Sequence, residues 1–190
     1  LMDLPFVRQF LVVLIGPLLR ADDVYCIFLL SGADGQNIHV GPMRYESDHW
    51  YHYHDGVMRN GLMVATWVLN DAEPGDGGFV CIPGRHKPNF IDAVPRDVLT
   101  QEYRPDYVIQ PELRAGDVLL FTEALIHGTA TWRGSQERRA LLYKYSPPHS
   151  SWAKVPYNLQ HYPNASPQQQ RLMAPASVED HAKVLNPAEY

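Results

Sequence analysis

A chain of 190 residues with 45% apolar side chains can close one hydrophobic core and is too short for two comfortable ones, so residues 1–190 are expected to form a single domain. Its formal charge of -5 leaves no basic surplus to track a phosphate backbone, which argues against a nucleic-acid binder and for a small-molecule partner. Cys26 and Cys81 are isolated and lack metal-ligand spacing; each lies in an apolar run and is read as a reduced, buried thiol in a reducing, cytoplasmic setting.

The first element, within residues 1–20, is a short amphipathic helix. Val7, Phe10, Leu11, Leu14 and Ile15 recur at helical spacing, Asp3 and Pro5 mark its start and Gly16-Pro17 its stop. Arg8 and Gln9 interrupt the apolar run, which falls far short of the roughly 20 residues a membrane span needs. No small-residue cleavage site follows a basic leader, so no membrane association is expected. The chain opens on Leu1 rather than Met, which predicts an N-terminally incomplete sequence lacking an earlier helical region.

Residues 24–145 read as a β core. Val24 to Leu30 is an apolar run ended by Ser31-Gly32-Ala33-Asp34-Gly35; Gly61 to Leu69 is a second, ended by Asn70-Asp71 and a Gly-rich turn; Phe79 to Ile82 follows at once, and Pro83-Gly84 turns the chain. Lys87 to Pro111 is polar and proline-bearing, a long crossing loop with a helical turn. A closing pair of strands is expected at Val118 and Leu141. Between them, His127 and Arg138 flank a short polar turn, so an imidazole and a guanidinium would face a common space if their strands pair. Many short strands punctuated by Gly and Pro predict an all-β jelly roll with a short N-terminal helix. The tail, 146–190, is rich in Pro, Ser, Gln and Asn; it is expected to wrap the core irregularly, with one helix near Gln168 to Met173.

Four of the nine histidines fall between His39 and His54. His52 and His54 would share one face of a strand, with Asp55 beside them. Two neutral imidazoles and one carboxylate on one face of Fe(II) form a facial triad that leaves positions open for co-substrate and dioxygen; His127 would be the distal imidazole. A surface-facing Tyr-His-Tyr-His ribbon fits the same residues.

Asn70 to Lys87, containing Gly77-Gly78-Phe79-Val80-Cys81-Ile82-Pro83-Gly84-Arg85-His86-Lys87, resembles the GG-x-x-x-x-PGSHK segment of the phytanoyl-CoA dioxygenase family. Gly116-Asp117-Val118-Leu119-Leu120-Phe121 and Ile126-His127-Gly128-Thr129 resemble that family's GD…F…HG[ST] block, and Arg138 falls where the family keeps its 2-oxoglutarate arginine. The resemblance covers roughly residues 25 to 150. It implies a double-stranded β-helix of cupin-like form and a non-haem iron dioxygenase that uses Fe(II), 2-oxoglutarate and O2. Such an enzyme hydroxylates a small metabolite while 2-oxoglutarate is decarboxylated to succinate. Arg138 would pair bidentately with the 5-carboxylate, and Thr129 would add a hydroxyl.

The chain departs from the family at its H-x-D motif. His39 stands where the first ligand belongs, but Gly41 occupies the carboxylate position. The expected metal set is therefore His39, His127 and Asp55, with another acid of the Glu46 to Asp55 loop, His49, His52 or His54 as alternatives to Asp55, and His49 as an alternative first ligand. A small residue in the carboxylate slot also fits a non-haem iron halogenase, with halide in the vacancy. A catalytically silent jelly-roll binding module is the reading from a different class; retention of both His127 and Arg138 opposes it. Arg139 is expected on the opposite strand face, His86 in a turn, and Trp67, Tyr143 and Tyr145 in core and rim packing. Trp132 is the one aromatic considered for substrate stacking. His149, His161 and His181 are expected to be exposed in the tail. No segment carries a substrate or oligomer code, and the fold itself transfers no substrate.

Overall fold

The computed structural model describes residues 1–41, 47–87 and 91–178. Along the chain, α1 (Pro5–Leu14) leads into β1 (Arg20–Leu29) and β2 (Gln36–His39). Then come β3 (Tyr51–His54), β4 (Val57–Asn60), β5 (Met63–Val68), β6 (Gly78–Cys81), α2 (Arg96–Leu99), β7 (Val118–Thr122), β8 (His127–Ala130), β9 (Arg138–Ser146) and α3 (Pro167–Leu172). Four strands pair in the order β1-β9-β5-β7, three in the order β2-β8-β6, and β3 with β4 forms a separate ribbon. All these pairings are antiparallel. This is the expected jelly roll, with its N-terminal helix and irregular tail.

The uninterrupted apolar run of β5 follows from cover on both sides of its sheet. Strand pleating sends Met63, Ala65 and Trp67 outward to a cluster with Val7 and Leu11 of α1, Tyr145 of β9 and Leu172 of α3. Val64 points inward, to Phe79 of β6, Phe121 of β7, and Ala140 and Leu142 of β9. Burying a side chain such as Leu11, 1% exposed, contributes about 1.5–3 kcal/mol, so α1 is held by packing; only Val7 and Leu11 of the helix are buried. Phe10, expected in its core stripe, lies on the exposed side.

On the smaller sheet the same alternation turns Ile38, Val80 and Ala130 outward against Val94, Val98 and Val108 of the crossing segment. Phe79 and Cys81 therefore face inward, and so do His39, His127 and Thr129, one residue out of phase with the outward set.

Three expectations are corrected. The Val118 and Leu141 strands do not pair: β5 lies between β7 and β9. Nor do the strands of His127 and Arg138 pair, since β8 belongs to the smaller sheet; the segment after β7 carries the chain across the interior, and the two side chains face each other between sheets. Cys26 is exposed, because β1 is an edge strand whose outer end has no cover.

The tail is anchored by buried polar groups. Asp22 accepts the backbone N–H groups of Trp152 and Ala153, each at 2.8 Å, and pairs with Arg20 at 3.3 Å. Arg20 also donates to the Ser150 carbonyl at 3.2 Å. α3 begins with a reciprocal capping box between Ser166 and Gln169. No described helix is long and apolar enough to cross a membrane.

Candidate active site

β2 and β8 set His39 directly opposite His127, with ring centroids 4.5 Å apart. Each imidazole is fixed the same way. His39 Nδ1 lies 2.8 Å from the Asn37 carbonyl and His127 Nδ1 lies 2.7 Å from the Leu125 carbonyl. A carbonyl only accepts, so both Nδ1 atoms carry the proton and both Nε2 atoms keep a free lone pair. Histidine ligands are oriented in this way around metals. Burial holds His127 below its ordinary pKa; the Glu123 carboxylate opposes that shift and His39 adds to it. A neutral imidazole is the form a metal needs.

Among the described residues, the acid in this space is Glu123, from the turn between β7 and β8. Its Oε2 lies 3.9 Å from His127 Nε2, and its Oε1 accepts from Lys144 Nζ at 2.9 Å. Both side chains of the pair are less than 10% exposed. Gly41 backs onto this carboxylate: a Cβ there would lie 2.5 Å from Glu123 Oε2 and 2.8 Å from Glu123 Cβ. The Gly41 N–H donates to the Glu123 carbonyl at 2.9 Å. Among the described residues, no three His, Cys, Asp or Glu side chains yet converge closely enough to hold an ion.

Arg138 begins β9, and the pleat puts Arg138, Ala140, Leu142 and Lys144 on the inward face. Arg138 is 6% exposed, and its Nη1 has no hydrogen-bond partner among the described residues. Burial pulls its pKa down, yet arginine stays charged in proteins. Gly78, at φ +82, makes room for it, since a Cβ there would stand 2.8 Å from Arg138 Nε.

His39, His127, Glu123, Thr129, Arg138 and Lys144 line one cavity of about 250 Å³. Phe79, Phe121 and Leu142 supply apolar wall, and Tyr25 and Trp152 complete it. Lys144 Nζ stands 4.8 Å from the Trp152 ring centroid and 5.6 Å from that of Tyr25. Burial, and to a lesser degree Glu123 and Asp23, push Tyr25 up to about 12. The donor set fits a divalent metal, and the buried Arg138 Nη1, with no acceptor among the described residues, fits the carboxylate of a bound molecule.

Four of the five expected site residues, His39, His127, Arg138 and Thr129, therefore share this cavity, and Asp55 does not. Asp55 and Gly56, at φ 51 and φ 76, form the tight turn of the β3–β4 ribbon. Its carboxylate is 86% exposed, 3.0 Å from His54. An Asp-Gly pair between strands favours just such a two-residue turn, which aims the acid into solvent.

His49 is buried elsewhere, 3.3 Å from Ser150 Oγ. His52 lines a separate cavity beside α1. Trp132, 1% exposed, donates to the Gln136 carbonyl and serves the core. His86 packs edge-on to Tyr51. Arg139 is exposed on the opposite face, as expected, and pairs with Glu137. Glu46 and His181 lie outside the described residues. Sequence reasoning missed Glu123 and Lys144. The available signal was a lone acid inside the apolar run from Val118 to Ile126, and a lysine in phase with Arg138 on one strand.

The family model described as phytanoyl-CoA dioxygenase matches residues 34–140. No curated protein matches the chain. HygX from Streptomyces hygroscopicus with nickel and 2-oxoglutarate bound is similar at a TM-score of 0.65 and 24% identity, over 76% of this chain and 62% of that one. The same protein with nickel, 2-oxoglutarate and hygromycin B bound gives 0.66 and 22%, over 77% and 63%. AviO1 from Streptomyces viridochromogenes Tue57 gives 0.54 and 17%, over 71% and 54%. The chain thus spans about six-tenths of the length of HygX, and at these identities the likeness carries the fold.

Proposed function

Because the chain belongs to the phytanoyl-CoA dioxygenase family, we propose that it is an Fe(II)/2-oxoglutarate-dependent dioxygenase that hydroxylates a small polar or amphipathic metabolite. His39 and His127 serve as metal ligands and Arg138 as the co-substrate anchor. The observation that carries this reading is the sharing of one cavity by two imidazoles, both with Nδ1 committed to backbone carbonyls, and a buried arginine whose Nη1 has no acceptor among the described residues. Bound iron supplies the activation of dioxygen that couples decarboxylation of 2-oxoglutarate to oxidation of a substrate C–H bond.

The chain's part is positioning. The fixed rings present Nε2 lone pairs without rotamer search. Arg138 receives the 5-carboxylate in a bidentate pair, and Thr129 offers a hydroxyl to the same group. Phe79, Phe121 and Leu142 form an apolar wall that, once 2-oxoglutarate fills the cavity, keeps water from that pairing and strengthens it. The space beside Gly41 is filled by the Glu123 carboxylate, which supports hydroxylation over halogenation, since a halide would need that volume. The two free thiols fit a reducing, cytoplasmic setting.

Anaerobic titration with Fe(II) and 2-oxoglutarate tests the reading. The weak visible charge-transfer band of the chelate is expected in the wild type and absent in His127→Ala. If the wild type shows no band and forms no succinate with fresh iron and ascorbate, the chain is a jelly-roll binding module.

A further inference from the structure

We propose that Glu123 is the carboxylate ligand of the metal site, reached from the turn before β8 rather than from the position two residues after His39, and that Lys144 positions it. The inference rests on the oxygenase reading and adds a donor that the family's H-x-D spacing does not supply here. Gly41 follows His39 by two residues, so in extended chain its missing side chain would leave on the same side as the His39 ring. The atoms that a Cβ at Gly41 would meet are Glu123 Oε2 and Glu123 Cβ. One carboxylate thus occupies the place vacated by another, on a different segment.

The two oxygens of Glu123 have separate duties. Oε1 accepts from Lys144 at 2.9 Å, and Oε2 faces His127 Nε2 at 3.9 Å. Ligand atoms about 2.0–2.2 Å from a metal, at right angles to one another, stand about 3 Å apart. The approach still required of Oε2 toward His127 Nε2 is therefore about 1 Å. A ligating carboxylate whose second oxygen is hydrogen-bonded is a common outer-shell arrangement. Lys144 is itself fixed over the Trp152 and Tyr25 rings, so it can hold Oε1 without swinging into the site. Removing charge from either partner of a buried pair leaves the other uncompensated, a cost that removing both charges avoids.

The test is anaerobic Co(II) binding, read by calorimetry and by the visible d–d absorption of the bound ion, which requires no turnover. Glu123→Gln is expected to weaken Co(II) binding by more than about 100-fold, beyond the 10–100-fold typical of an outer-shell partner. Lys144→Met should fall within that outer-shell range. Asp55→Asn should bind as the wild type does. Glu123→Gln/Lys144→Met removes both buried charges and serves if the single variant does not fold; it should lose Co(II) equally.

The decisive variant is Glu123→Gly/Gly41→Asp, which removes Oε2 and Cβ of Glu123, the two side-chain atoms a Gly41 Cβ would meet, and returns the carboxylate to the β2 side. It should recover binding to within about tenfold of wild type, again on the outer-shell scale, a result that a purely structural Glu123–Lys144 pair would not give. If His39→Ala and His127→Ala lose Co(II) while folded Glu123 variants retain wild-type affinity, the Glu123 assignment is overturned and the oxygenase reading stands. If the wild type binds neither Co(II) nor 2-oxoglutarate, the oxygenase reading itself fails.

Discussion

Replacing Arg138 by Met produces two effects of opposite sign. In the ligand-free protein Arg138 is 6% exposed and its Nη1 lacks an acceptor among the described residues, a burden of about 1–3 kcal/mol for an unsatisfied buried group. Solvent entering through the cavity reduces that burden. For a chain of this size, ~2–4 °C of melting temperature corresponds to each kcal/mol, so Arg138→Met should raise the apo melting temperature by about 2–5 °C. The same change removes a charge-assisted pair to the 5-carboxylate, a loss of about 1.5–3 kcal/mol. With a tenfold change for every ~1.4 kcal/mol, 2-oxoglutarate affinity should fall roughly 10- to 100-fold while Co(II) affinity is kept. Scanning calorimetry with and without 2-oxoglutarate, beside an anaerobic titration, reads both effects. An apo protein that melts lower, or a variant that binds 2-oxoglutarate like wild type, would show that Arg138 is a structural cation and not an anchor.

Gly78→Ala, at φ +82 and 2.8 Å from Arg138 Nε, should cost about 1–3 kcal/mol of stability and weaken 2-oxoglutarate more than metal; thermal melts and the two titrations separate these. Burial keeps His127 below its ordinary value of 6.5, so the unfolded chain binds that proton first. Its contribution to stability is complete above pH 6.5 and declines as the pH falls below it, by at most ~1.4 kcal/mol per pH unit; melts from pH 7.5 to 5 should show this slope, reduced in His127→Asn. A disulfide reagent at pH 8 should label exposed Cys26 quickly and spare Cys81, which burial pushes up to about 11, until the protein is unfolded. Asp22→Ala should destabilise by about 3–5 kcal/mol, since it leaves Arg20 buried and frees the Trp152 and Ala153 N–H groups; tryptophan fluorescence should report Trp152 leaving the cavity.

The parts of the fold legible in the sequence are those whose environment is imposed by local pattern. β5 reads as one apolar run because both its faces are covered, and α1 and α3 carry their own start signals. β2 and β8 carry little such pattern: Gln-Asn-Ile-His and His-Gly-Thr-Ala contain few strand formers, and each exists because the other lies alongside it. The sheet crossing between β7 and β8 is likewise a tertiary fact. In the site, His127 and Arg138 stood out through their place in a motif, whereas Glu123 could not be found by searching near His39, because its carboxylate comes from a segment remote in sequence, the turn before β8. Asp55 lies outside the cavity for a readable reason. Asp-Gly between two four-residue strands is a hairpin turn before it is anything else.

That both imidazoles lean on peptide oxygens at Asn37 and Leu125 bears on how such a centre drifts over evolutionary time. A main-chain acceptor survives nearly every point mutation at its own residue, so the two rings stay aimed while their neighbours vary. The acid has no such insurance: its contact to Lys144 runs through side chains alone. On the proposed assignment, main-chain acceptors aim the two nitrogen donors, and a side-chain contact alone holds the oxygen donor.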